Sequence, residues 1–164
     1  GETMDTYILV EQGESLIAEG AKVYVIDDAE LDRVKNNYPV MWKDKNATPK
    51  LCFVGCPHLS YDQLVEWTEN VSEALKKNGR SKVSIPTVFT AAPAVVEKFN
   101  ATPNAAKLKA TGVVLSYICP LMYMNNPLAG KMPVITNSNK LRTYTTSRYY
   151  TSAEILDIIT KEAK

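Results

Sequence analysis

Three segments of this 164-residue chain carry side chains able to do chemistry. The first is Gly55-Cys56-Pro57-His58-Leu59-Ser60, directly after an apolar run. Cys56 stands between the end of that run and a helix start at Ser60. Backbone amides and the helix dipole at such a junction favour an anion or a thiolate. A thiolate is what iron or an iron–sulfur cluster takes as a ligand. The same position also suits a small buried hydrophobe, as free cysteine often is. His58 is the single histidine. It can ligate, polarise a substrate or hydrogen-bond within the turn. Standing alone, it excludes a multi-histidine metal site, and any Ser-His-Asp triad would have to use it.

The second segment is Cys119-Pro120, again after an apolar run. Paired with Cys56, Cys119 can supply a second soft ligand, and a cluster site needs more than two. Cys52 lies inside its run and is expected in the core. The third segment is Thr136-Asn137-Ser138-Asn139-Lys140. Short hydroxyl and amide groups beside one cation can hold a carboxylate or phosphate; the same residues also make a plain helix-capping turn. The glycines of a phosphate-binding loop are missing, and no G-x-G-x-x-G occurs, so a dinucleotide fold has no support. The Tyr-rich stretch 144–150 is expected to pack, and Arg142 and Arg148 read as surface arginines or anion contacts.

The elements that must position these residues alternate. Apolar, β-rich runs predict strands at residues 23–26, 51–55, 83–90, 112–118, 133–136 and 148–150. Pro86 makes the first half of the third irregular. Residues 7–10 read as a short strand or as the start of a helix running to Ala18. Helices are expected at 29–36, capped by Asp27 or Asp28 and stopped by Pro39; from Ser60, with Gln63 as its capping box, to a stop at Gly79; from Pro93; from Pro103 to Lys109; and after Ser152, read as the last cap. Residues 42–50 and 121–132 read as loops. Strands alternating with helices argue for an α/β fold, a mainly parallel sheet with helices on both faces, in a single domain covering 1–164. Ligands of such sheets sit at the carboxyl ends of the strands. Cys56, Cys119 and Asn137-Ser138 all follow predicted strands, so the three segments are expected at one edge.

Composition narrows the function further. Nineteen basic against eighteen acidic residues, a net charge of +1, removes the usual nucleic-acid footprint. No apolar stretch reaches the ~18 residues needed to span a bilayer, and the first residues lack the basic and apolar regions expected of a signal peptide. A cytoplasmic location is the default, and three cysteines suit a reducing compartment better than a disulfide framework. Three Asn-x-Ser/Thr sequons, at Asn46, Asn70 and Asn100, read as chance matches.

The string Gly55-Cys56-Pro57-His58-Leu59-Ser60 after an apolar strand, with Cys119 later and Thr136-Asn137-Ser138-x-Lys140 beyond it, resembles the C-terminal region of the aconitase X large subunit. That family includes the phosphomevalonate and cis-3-hydroxy-L-proline dehydratases. The resemblance runs from about Ala21 to Ala163. It implies a hydro-lyase that eliminates water from a small anionic hydroxy acid at an iron or iron–sulfur centre. It also implies that Cys56 and Cys119 are metal ligands, with a third ligand outside this chain. His58 and Ser60 would then line the catalytic site, and Asn137, Ser138 and Lys140 would bind the substrate's carboxylate or phosphate. The implied partners are the N-terminal part of the large subunit and a small swivelling subunit or domain, and the chain alone is expected to be inactive. Two other readings stand beside this one. One is a non-catalytic α/β domain binding an anionic metabolite at the strand ends; the other is a thiol enzyme using Cys56 with His58.

Overall fold

The computed structural model describes residues 13–161. The strand or helix read at residues 7–10 lies outside the described residues. The chain divides into two compact units, one ending at Asn37 and one beginning at Tyr38.

In the first unit Gly13–Leu16 form a 3-10 turn, and Asp28–Asn36 form helix α1. The Asp27 carboxylate caps α1 by accepting from the Glu30 amide at 2.9 Å, as its sequence predicts. Residues 23–26 are not a strand. Val23 is 88% exposed and its three successors 68% each. β propensity describes how a side chain fits a paired, half-buried surface; these residues belong to no ladder and lack that surface.

The second unit is the α/β body. Its strands are β1 (Leu51–Leu59), β2 (Thr87–Ala91), β3 (Val114–Ser116), β4 (Val134–Thr136) and β5 (Arg148–Tyr149). Its helices are α2 (Tyr61–Lys77), α3 (Pro93–Asn100), α4 (Pro103–Ala110), α5 (Pro120–Met124), α6 (Asn139–Tyr144) and α7 (Ser152–Thr160). All strands run parallel, in the order β3-β2-β1-β4-β5. The chain therefore builds outward from β1 to β3 on one side, then crosses back to lay β4 and β5 on the other.

Alternation along β1 divides the core in two. Cys52 and Val54 join Phe89, Ile135 and the inner faces of α2, α3, α4 and α7, including Leu64, Val71, Phe99, Leu108 and Ile155. Phe53 points to the opposite face and meets Val134, Met124 of α5 and Leu141 of α6. A strand covered on both faces must be apolar at successive positions, which is why 51–54 reads as an unbroken apolar run. The expected helices on both faces are present.

Local signals placed most helix boundaries. Ser60 and Gln63 close a reciprocal capping box: the Gln63 amide donates to Ser60 Oγ at 3.2 Å, and the Ser60 amide to Gln63 Oε1 at 2.9 Å. Pro93, Pro103 and Pro120 each open a helix. Three expectations are corrected. The last helix is capped by Thr151, one residue before Ser152, in a box with Glu154. The segment 121–132 is not all loop, because Pro120 starts α5, whose Met124 is buried against Phe53 and whose Tyr123 ring stacks on it at 5.3 Å. Strand β3 is three residues long rather than seven. Trp42, in the loop before β1, is buried in the first core.

Candidate functional site

Two neighbouring parallel strands assemble the site. β1 and β4 pair with Leu51, Cys52 and Phe53 opposite Val134, Ile135 and Thr136. The strand order reverses between them, since β1 is followed in sequence by β2 on one side and flanked by β4 on the other. Such a switch point opens a crevice at the strands' carboxyl ends, the ordinary ligand position in open α/β sheets. Gly55-Cys56-Pro57-His58 and Asn137-Ser138-Asn139-Lys140 both leave the sheet there.

The way β1 reaches this edge differs from the sequence expectation. The strand does not stop at Gly55 but runs to Leu59. Val54 pairs with Phe89, and the next pair is Leu59 with Ala91. Five residue steps of β1 thus span two steps of β2, and residues 55–58 are extruded from the ladder. Cys56 is half-buried and packs against the second core, while Pro57 and His58 are exposed. Leu59 returns to the interior at 7% exposure. The peptide bond between Cys56 and Pro57 is cis.

The cysteines separate by environment. Cys52 is fully buried, and burial pushes its thiol strongly upward, so it is core, as expected. Cys119 is exposed. It is not directly past a strand, because β3 ends at Ser116; it is the N-terminal cap residue of α5. That helix packs on the face of β1 that carries Phe53 and receives Cys56.

The short polar side chains have structural duties. Ser60 Oγ caps α2. Ser138, 5% exposed, caps α6 by accepting from the Leu141 amide at 2.9 Å, the capping role its turn suggested. Asn137 donates through Nδ2 to Ser152 Oγ at 3.1 Å, which ties the end of β4 to the first residue of α7. Lys140 is exposed on the first turn of α6. Arg142 and Arg148 do more than decorate the surface. The Arg142 guanidinium lies over the Tyr38 ring at 3.8 Å, and that of Arg148 lies 5.6 Å from Trp42 and 5.2 Å from Tyr150. The expected packing of the Tyr-rich stretch holds for Tyr149, set edge-on to Tyr38 at 5.5 Å, and not for Tyr144, which is 66% exposed.

As a metal site this donor set is partial. Cys56 and Cys119 suit a soft metal. Among the described residues no group of three or more His, Cys, Asp or Glu converges to hold an ion. No helix among the described residues is long and apolar enough to cross a membrane.

Sequence reasoning missed Thr90. Its hydroxyl donates to the Gly55 carbonyl at 2.5 Å from a fully buried position. Nothing local to either residue signals a contact between positions 35 apart.

The family model for the aconitase X third domain matches residues 49–160. No curated protein matches the chain. Among solved structures, the crystal structure of Thermococcus kodakaraensis aconitase X (holo-form) superposes with a TM-score of 0.66 at 19% identity, covering 90% of this chain and 37% of that one. At that identity the likeness is one of fold. This chain spans little more than a third of that relative's length.

Proposed function

The chain belongs to the aconitase X family through its third domain, and on that premise we propose that it is one domain of a hydro-lyase that eliminates water from a small hydroxy-carboxylate. The observation that carries this reading is the pairing of β1 with β4. It sets the extruded thiol-and-imidazole segment beside the amide, hydroxyl and lysine turn at the switch point.

In this reading Cys56 and Cys119 hold an iron or iron–sulfur centre together with a ligand from another part of the family's catalytic unit. When bound, such a centre supplies Lewis-acid polarisation of the departing hydroxyl. The chain's own residues do the rest. Lys140, exposed on the first turn of α6, supplies a cation for the substrate's carboxylate or phosphate. Asn137 presents its amide at the end of β4 in an orientation set by Ser152. Ser138 serves this turn by fixing the start of α6, which sets where Lys140 stands. His58, exposed on the extruded segment, is in this reading the group that moves a proton to or from substrate. Ser60 holds α2 in place behind it. The N-terminal part of the large subunit and a small swivelling subunit or domain complete the site, and this chain alone does not turn over.

The test is anaerobic reconstitution with iron and sulfide, quantified for the wild type, Cys56→Ala and Cys119→Ala, with and without the remaining large-subunit domains. Metal that binds stoichiometrically only in the completed protein, and is lost in both variants, supports the reading. Water elimination by the chain alone would overturn the claim that it is incomplete.

One observation favours a second reading. No three His, Cys, Asp or Glu side chains come together among the described residues, while the Asn137–Lys140 turn suits an anion without metal. A non-catalytic domain that binds an anionic metabolite predicts binding that survives Cys56→Ala and Cys119→Ala. The thiol-enzyme reading has no comparable support.

A further inference from the structure

We infer that Thr90 is the positioning residue of the candidate site, the group that holds the extruded Gly55-Cys56-Pro57-His58 segment in the conformation that presents Cys56. The inference deepens the reading above and rests on it for the role of Cys56.

Three observations converge on Thr90. The ladder between β1 and β2 breaks after Val54–Phe89 and resumes at Leu59–Ala91, so Thr90 is the single β2 residue facing the extruded segment. Its side chain is fully buried and donates to the Gly55 carbonyl at 2.5 Å. A Cβ on Gly55 would collide with Thr90, lying 2.6 Å from its Oγ1 and 2.9 Å from its amide nitrogen. Gly55 also has a φ of 111°, a conformation that side chains rarely adopt.

The reasoning from these contacts to Cys56 is geometric. An extruded segment has lost its ladder hydrogen bonds, and its carbonyls need other partners. The Thr90 hydroxyl supplies one to Gly55 and so fixes the plane of the Gly55–Cys56 peptide. That plane sets the direction in which Cys56 leaves the backbone, toward the core formed by Phe53, Met124, Val134 and Leu141. Thr90 is itself fixed by its pairing with Ser116 of β3. Without the hydroxyl, the segment is free to rotate outward and release the thiol from its half-buried place.

The experiment is site-resolved alkylation of the folded chain with iodoacetamide, followed by peptide mass spectrometry, in Thr90→Val and Thr90→Ser. Cys119 is exposed and serves as the internal reference in the same sample. Thr90→Val, which keeps shape and removes the hydroxyl, is expected to speed alkylation of Cys56 relative to Cys119 by about fivefold. Thr90→Ser is expected to stay within about twofold of wild type. An unchanged ratio in folded Thr90→Val, or equal release in both variants, overturns the proposal. Should Thr90→Val not fold, Thr90→Ala, which also removes the hydroxyl, decides: faster alkylation of Cys56 relative to Cys119 supports the hydroxyl's role, and a wild-type ratio overturns it. The assay needs no iron and no substrate, so its failure leaves the dehydratase reading standing, and loss of that reading leaves the alkylation result intact.

Discussion

Phe53 on β1 and Thr136 on β4 are directly opposed partners in a parallel ladder. Each is followed within three residues by a candidate functional group, Cys56 on one strand and Asn137 after the other. Because the strands run the same way, both groups leave the sheet at the same edge. If this edge holds an anionic substrate, Lys140→Ala weakens binding of a hydroxy-carboxylate to the completed protein by about tenfold, the size of one charge-assisted hydrogen bond. The side chain is exposed, so the thermal midpoint stays where it was. Titration calorimetry paired with a melting curve checks both halves of this statement.

Gly55 and Gly79 both have positive φ, 111° and 65°, and substitutions at the two separate space from conformation. At Gly79 an added Cβ meets nothing within 4 Å, so Gly79→Ala costs about 1 kcal/mol in conformation alone. At Gly55 the Cβ would fall on the Thr90 backbone. Gly55→Ala is therefore expected to cost at least about 3 kcal/mol. Urea unfolding of the two variants gives the comparison, and equal losses would contradict it.

The capping assignments are testable one residue apart. Thr151→Ala removes the hydroxyl that caps α7 and is expected to cost about 1 kcal/mol. Ser152→Ala leaves that cap intact and costs less than about 0.5 kcal/mol, while releasing the Asn137 amide from its partner. Ser60→Ala opens the α2 capping box and costs about 1 kcal/mol. Denaturation midpoints order the three.

Cys52 gives the fold an alkaline limit. Its thiol is fully buried and held strongly upward by burial. Above the ordinary thiol pKa of about 8.5 the unfolded chain releases this proton and the folded chain keeps it. The unfolded state then binds fewer protons, so stability falls as pH rises. This group contributes a slope of about 1.4 kcal/mol per pH unit beyond that point. Cys52→Ala loses some packing at every pH but lacks this slope. Stability measured from about pH 8.5 to about pH 10 should therefore decline less steeply in the variant than in the wild type.

Much of the architecture was legible because its signals are local. The Ser60–Gln63 box, the prolines that open α3 and α4, and the Asp27 cap each act over three or four residues and appear where the sequence puts them. The unbroken apolar run at 51–54 identified a strand covered on both faces. Residues 23–26 carry the same kind of apolar signal without a partner strand, and the signal alone made no strand. The short helix α5 was hidden among Met, Asn and Pro residues, and what stabilises it is the burial of Met124 and the stacking of Tyr123 on Phe53.

By itself the sequence determined the α/β class, most helix starts, the central strands and the segments that hold reactive side chains. These follow from periodicity, capping and turn chemistry, in which each residue answers to near neighbours. Only the tertiary structure decided that β4 lies against β1 and that residues 55–58 are pushed out of the ladder. It also decided that Thr90, from another strand, holds them by the Gly55 carbonyl. Hydrogen-bond ladders and backbone collisions join residues far apart in the chain, and their geometry exists only once the sheet has closed.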